Sequence, residues 1–354
     1  MPSTHDLLCD MLQRADEAEF EKERGVILEE IAMCEDTPED LVYDLLAEAY
    51  FGEHPLARPI LGSHDQIASI GREALLTFKK KHYRPDNTVL AIAGQFDRTQ
   101  FRNMAERLLG GWHAEGETHI PAPVESTKPR MLTRKKDIEP VHMCLAFHGV
   151  EQDNDALYPI SVMNNLFGGG MSSRLFQRIR EEMGAAYSVY SFPSTYTNCG
   201  TFTVYAGTSP ETAQKVADEL HNQIRLLRDG GVTQEEFDMA KEQLKVSYVL
   251  GLESSSSRMS AIGRSKLLRG RAVDPQDVIR KIEAVTKEDV ERAARMPATV
   301  PRRRRQNVEG EADVRRRTPS AAALLRRKEV NFPIRQIERN EAGQNNNWHL
   351  NRVQ

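Results

Sequence analysis

The hydrophobic period of the chain changes repeatedly between residues 138 and 298, and that succession limits the possible folds more than any other feature. Val141, Met143, Leu145 and Phe147 alternate with His142, Cys144, Ala146 and His148, the two-residue period of a half-buried strand. Tyr158 to Phe167 then reads as a helix, and Gly168, Gly169 and Gly170 form a corner. A second helix runs from an N-cap at Ser172 or Ser173 to Gly184, which suits the left-handed position after a helix end. Ala186–Phe192 and Gly200–Gly207 are spaced as a hairpin, with Pro193 to Cys199 between them. Beyond Ser209-Pro210-Glu211, Ala213, Val216, Ala217, Leu220, Ile224 and Leu227 mark one face of a long helix that Gly230 and Gly231 stop. Thr233 and Glu236 have the spacing of a capping box for the next helix, toward Leu252, and helical pattern continues through Arg295. Strand, helices, hairpin and long helices in that order specify an α+β domain.

The preceding part reads mainly as helices, over 5–12, 15–34, 40–50, 72–82 and 98–109. Thr88 to Gly94 is a short apolar run between turn residues and is expected to be a buried strand. Four regions follow: a first part at 1–112, a proline-containing linker at 113–137, the α+β region at 138–298 and a tail at 299–354. The tail has no sustained period and is expected to be disordered.

Charge divides along the same lines. The chain of 354 residues has a net charge of −4. Thirteen Lys and Arg against six Asp and Glu give residues 302–354 a charge of +7, which leaves −11 on the rest. A basic tail could meet nucleic acid, but only Phe332 and Trp348 offer stacking surfaces there, so this reading is disfavoured. No run of 18 apolar residues occurs, which excludes a membrane-spanning helix. Cys9, Cys34, Cys144 and Cys199 are dispersed, without a metal-clip or disulfide pattern, and a cytoplasmic location is expected. Cys34 reads as a small core residue.

Two pairs of residues could carry chemistry. Glu23 and Glu30 lie seven apart on one helix, which puts both carboxylates on one face about 10 Å apart. They suit either a metal ligand with a supporting carboxylate or an ordinary solvated face. Arg180, in the last turn of a helix, and Tyr187, at the start of a strand, could converge on one carbonyl oxygen. Alternatively, the arginine serves the helix dipole and the tyrosine fills a sheet face. Gly168 to Gly170 lack the spacing of a nucleotide-binding turn, and His142 and His148, about 20 Å apart on one strand, cannot share a metal.

Four blocks in order resemble the insulinase-like zinc metallopeptidases, the family of pitrilysin and the mitochondrial processing peptidase. They are Glu21 to Ile31, His54 to Gly62, Tyr83-Arg84-Pro85-Asp86-Asn87, and Gly168 to Tyr187, within a likeness spanning about Leu7 to Arg295. The resemblance implies two similar clamshell halves, each a mainly antiparallel sheet packed by helices, with the first half incomplete here. It implies Zn2+ as cofactor and peptide or unfolded polypeptide as substrate. By position, Glu30 resembles the zinc-binding glutamate and Glu23 its supporting carboxylate, while Arg180 and Tyr187 resemble the pair that holds substrate near the scissile carbonyl.

The family's His-x-x-Glu-His motif is absent, and His5 is the sole histidine before Glu30. Two of three protein ligands and the general base are therefore missing, so no catalytic residue is assigned and no peptidase activity is expected from this chain alone. A truncated first half and an Arg-rich ending in place of the family's closing strand suggest a shifted reading frame or gene-model error. Two functions follow: a fragment of a zinc-dependent endopeptidase, or a non-catalytic substrate-binding subunit in a homo- or hetero-dimer with a family member. Lost strands would expose core surface and lower solubility.

Overall fold

Helix α1 (Glu17–Asp36) ends two residues before Pro38, which opens α2 (Pro38–Phe51) where a missing backbone N–H costs nothing. The computed structural model describes residues 17–113, 124 and 130–295. The expected helix at 5–12, most of the linker and the basic tail lie outside them. A short 3₁₀ turn at Pro55–Ala57 leads to α3 (His64–Ser69), with a capping box between Ser63 and Gln66. Helices α4 (Arg72–His82) and α5 (Arg98–Leu109) follow. Between them, Arg84 Nε donates to Asp86 Oδ1 at 2.8 Å and Thr88 Oγ1 to the Arg84 carbonyl at 2.7 Å, which fixes the Tyr83–Asn87 turn.

The expected strand at 88–94 is not one. Its residues have no ladder partner, because no strand among the described residues of this first part supplies one. Nor is the run buried: Leu90 is half-exposed and Ala91 to Ala93 are only partly covered. A Cβ added at Gly263 would lie 3.2 Å from the Ala91 Cβ, so glycine there lets a helix come close.

The one sheet among the described residues is antiparallel, built from β1 (Val141–His148), β2 (Ala186–Thr195) and β3 (Gly200–Thr208) in the order β1-β3-β2. Central β3 is buried along its whole length because both faces of the sheet are covered. Toward one face, Phe202, Val204 and Ala206 join a core with α6 (Leu157–Phe167), α7 (Ala213–Arg225), α8 (Gln234–Gly251) and α11 (Lys287–Ala294). Helices α9 (Ser255–Arg269) and α10 (Pro275–Ala284) complete the α+β fold. Pro193 belongs to β2 and pairs with Phe202, rather than to the hairpin loop. An edge strand tolerates proline because one row of its N–H groups faces away from the sheet.

Helix α2 covers the opposite face. Tyr43 Oη lies 2.6 Å from Tyr190 Oη, and Tyr190 donates to Glu39 Oε1 at 2.8 Å. Tyr50 Oη sits 2.5 Å from His148 Nδ1, and His142 Nδ1 2.8 Å from Tyr205 Oη. The two strand histidines therefore serve hydrogen bonds beneath and beside this helix. Burial pushes the Tyr43 hydroxyl pKa up to about 12, against the bond to Tyr190, which lowers it. These phenols are joints between α2 and the sheet, un-ionised at neutral pH. Tyr190→Phe, which leaves Glu39 and Tyr43 without their shared partner, is expected to cost about 1–2 kcal/mol in urea unfolding. A loss below about 0.3 kcal/mol would show that the joint adds no stability. Cys34 is half-buried rather than a core residue, since its helix packs on α2 and α3 along a narrow face.

Candidate functional site

The segment from Gly170 to Ser188 is irregular at two places, and each of the residues Arg180 and Tyr187 lies at one of them. Ser173 Oγ accepts from the Phe176 N–H at 3.4 Å at the start of the helix. The helix then widens into a π turn, Phe176–Glu182, with the Met183 N–H donating to the Arg178 carbonyl at 3.2 Å. The expected α-helix is thus π-wound where it carries Arg180. Such turns cost hydrogen-bond quality and recur at functional positions. Leu175 and Ile179 anchor the inner side, each fully buried.

Gly184, at φ +56°, reverses the chain into β2. The Ala185 carbonyl accepts from Thr208 Oγ1 at 2.6 Å and Thr212 Oγ1 at 2.9 Å, which pins this corner to the end of β3. Ala186 pairs with Thr208 and Ser188 with Gly207, so Tyr187 is an unpaired residue in a bulge. Its side chain is 61 % exposed. The π turn packs against β2, so one rigid corner carries both residues.

The two arginines of the π turn have different surroundings. Arg178 is tied to Glu182 at 2.6 Å and Glu219 at 3.0 Å. Arg180 has no carboxylate within 4 Å among the described residues, and its guanidinium lies 4.8 Å from the Phe176 ring centroid. Phe176 was not singled out from sequence, although its i, i+4 relation to Arg180 was there to read. An exposed guanidinium over an aromatic ring, with a projecting phenol on the adjoining strand, presents hydrogen-bond donors to a carbonyl or carboxylate.

Glu23 and Glu30 lie elsewhere, on α1, and both are exposed. Between them, Arg24 Nη2 donates to the Ile70 carbonyl at 2.7 Å and Nη1 to Glu21 at 2.8 Å, linking α1 to the end of α3. Zinc needs at least three protein ligands at a catalytic site. Among the described residues no group of three His, Cys, Asp or Glu side chains is placed to hold a metal ion. The residues present therefore do not fit a zinc ion at Glu30, and no chemistry is routed through one.

The profile of the family described as the peptidase M16 inactive domain matches residues 69–244. A Bacillus subtilis protein named uncharacterized zinc protease YmxG is 39 % identical over 293 residues, which are 82 % of this chain and 71 % of that protein. The uncharacterized zinc protease SCO5738 of Streptomyces coelicolor is 36 % identical over 307 residues, 83 % of this chain and 66 % of its own. Among solved structures, a protease from Helicobacter pylori superposes with a TM-score of 0.72 at 21 % identity, over 79 % of this chain and 70 % of that one. A peptidase M16 inactive domain from Pseudomonas fluorescens gives 0.68 at 22 %, over 79 % and 67 %. With a relative this similar over this much of both chains, the protein belongs to the M16, insulinase-like zinc metallopeptidase family.

Proposed function

We propose that this chain holds extended polypeptide through Arg180 and Tyr187 and does not cleave it by itself. The observation that carries this reading is the pairing of a π turn and a β-bulge at one packed corner, each exposing one donor side chain. Backbone irregularity of this kind costs energy and persists where it aims a side chain. The absence of a His-x-x-Glu-His sequence supports the second clause.

A fluorescein-labelled unfolded peptide should bind the purified chain, and Arg180→Ala with Tyr187→Ala together should weaken binding ~10- to 100-fold. Both side chains are exposed, so circular dichroism should show the fold unchanged. Added zinc should produce no cleavage. Unchanged affinity in the double variant would overturn the binding site, and turnover by the purified chain would overturn the second clause.

A second reading, favoured by the match to a domain described as inactive, makes this chain the substrate-binding member of a pair with a zinc-bearing relative. Copurification with such a relative and gain of cleavage on mixing would support it. A reducing, cytoplasmic setting is part of the same proposal, supported by the free thiols of Cys34, Cys144 and Cys199.

A further inference from the structure

Met171 stands at the start of the segment that carries Arg180, and its side chain is 74 % exposed. Its backbone is nevertheless fixed. Gln177 Nε2 donates to the Met171 carbonyl at 2.7 Å, and the Ser173 N–H donates to the Gly170 carbonyl at 3.0 Å. The turn bearing Met171 is thereby tied to the π turn bearing Arg180. The core side of this segment is already filled by Leu175 and Ile179, so the thioether is left facing water.

The same surface continues onto α8. A Cβ added at Gly170 would lie 3.6 Å from Gln243 Nε2, so the turn abuts the outer side of that helix. Met239, Gln243, Val246 and Leu250 recur at i, i+4, i+7 and i+11, a stripe opposite the buried Phe237 and Ala240. Met239, Val246 and Leu250 are each at least half exposed, and the stripe carries no charge. The Gln243 amide among them offers donors and an acceptor to a passing backbone.

Nine residues separate Met171 from Arg180, on the order of 13 Å at helical rise. An extended polypeptide spans that length in about four residues. A chain held by its carbonyl at Arg180 and Tyr187 therefore brings another of its side chains to Met171. We propose that Met171 and the Met239–Leu250 stripe form an apolar track for that polypeptide, selecting segments with an aliphatic side chain about four residues from the held carbonyl. Methionine suits this task, because its flexible, polarizable thioether adapts to aliphatic groups of different shape. The inference rests on the binding role of Arg180 and Tyr187 and names the class of polypeptide they hold.

The test uses the full chain, fluorescence anisotropy and two fluorescein-labelled ten-residue peptides of serine and glycine. One peptide has leucine at two positions four apart; the other has serine there. The leucine peptide is expected to bind about 5- to 10-fold more tightly, as for an aliphatic side chain partly covered on a surface. Met171→Gln should reduce that ratio to about 2 or below, and Met171→Leu should keep it. Arg180→Ala should weaken both peptides alike. A ratio near 1 in the native chain, or one unchanged by Met171→Gln combined with Val246→Gln, would overturn the track. In either case a loss of binding in Arg180→Ala leaves the corner itself standing. If Arg180→Ala weakens neither peptide, the corner does not hold polypeptide and the track falls with it.

Discussion

Phe167→Ala is expected to lower the free energy of unfolding by about 3–5 kcal/mol, read from the midpoint of urea denaturation. Phe167 closes α6 and is 1 % exposed. Its ring centroid lies 6.4 Å from that of Phe202 on β3, so it joins the helical layer to the central strand. The neighbouring backbone cannot collapse into the space. Gly168 is already so close to β2 that an added Cβ would stand 2.6 Å from the Ser191 nitrogen, and the Ser191 N–H donates to the Gly168 carbonyl at 3.0 Å. A cavity left at Phe167 thus has rigid walls on the sheet side, which places the cost in the upper part of the usual range. A loss under about 1 kcal/mol would mean that this core is far looser than its packing indicates.

Glu236→Gln should remove roughly 2–3 kcal/mol at pH 7 and flatten the acid limb of the stability curve. Arg174 grips this carboxylate from two nitrogens, at 2.6 and 2.8 Å, and the Thr233 N–H donates to it at 2.9 Å. The guanidinium is the main cause, against burial, that holds the Glu236 pKa down from its ordinary 4.5 to about 2. A carboxylate depressed on folding contributes stability fully above the unfolded value and loses it as pH falls toward the folded one. The native chain should therefore weaken between pH ~5 and ~2 through this group, and the variant should not. Glutamine can retain the capping-box geometry at the start of α8, so the effect isolates the ion pair from the cap. It also leaves Arg174, 18 % exposed, without its counter-charge. Parallel acid limbs in the two proteins would show that the pair does not control acid stability.

The pair illustrates what was legible in sequence and what was not. Thr233 and Glu236 announced the cap through their spacing alone, because a capping box is closed within one helical turn. Arg174 lies 62 positions away, and nothing local marks it as the third partner. The same division holds at the candidate site. Arg180, Gly184 and Tyr187 could be placed at a helix end, a reversal and a strand start, since each position follows from local periodicity and glycine conformation. The π winding beneath Arg180 and the bulge at Tyr187 could not, because both depend on how Leu175 and Ile179 seat in the core and how β2 pairs with β3. The run at 88–94 shows the opposite error: its apolar character suggests a buried strand, yet none of its residues is buried, Leu90 is half-exposed, and a strand exists only where another backbone meets it.

Sequence by itself determined most of the elements with many of their caps and stops, the family, and the absence of a His-x-x-Glu-His motif, for these depend on residues close together in the chain or on their identity alone. Tertiary structure alone decided that α2 roofs the sheet through Tyr43 and Tyr50, that among the described residues Arg178 has carboxylate partners and Arg180 has none, and that the Gln152 carbonyl accepts from Arg269. Those facts rest on contacts between residues 40 to 150 positions apart, and such contacts are fixed by the packing of layers, which no local pattern encodes.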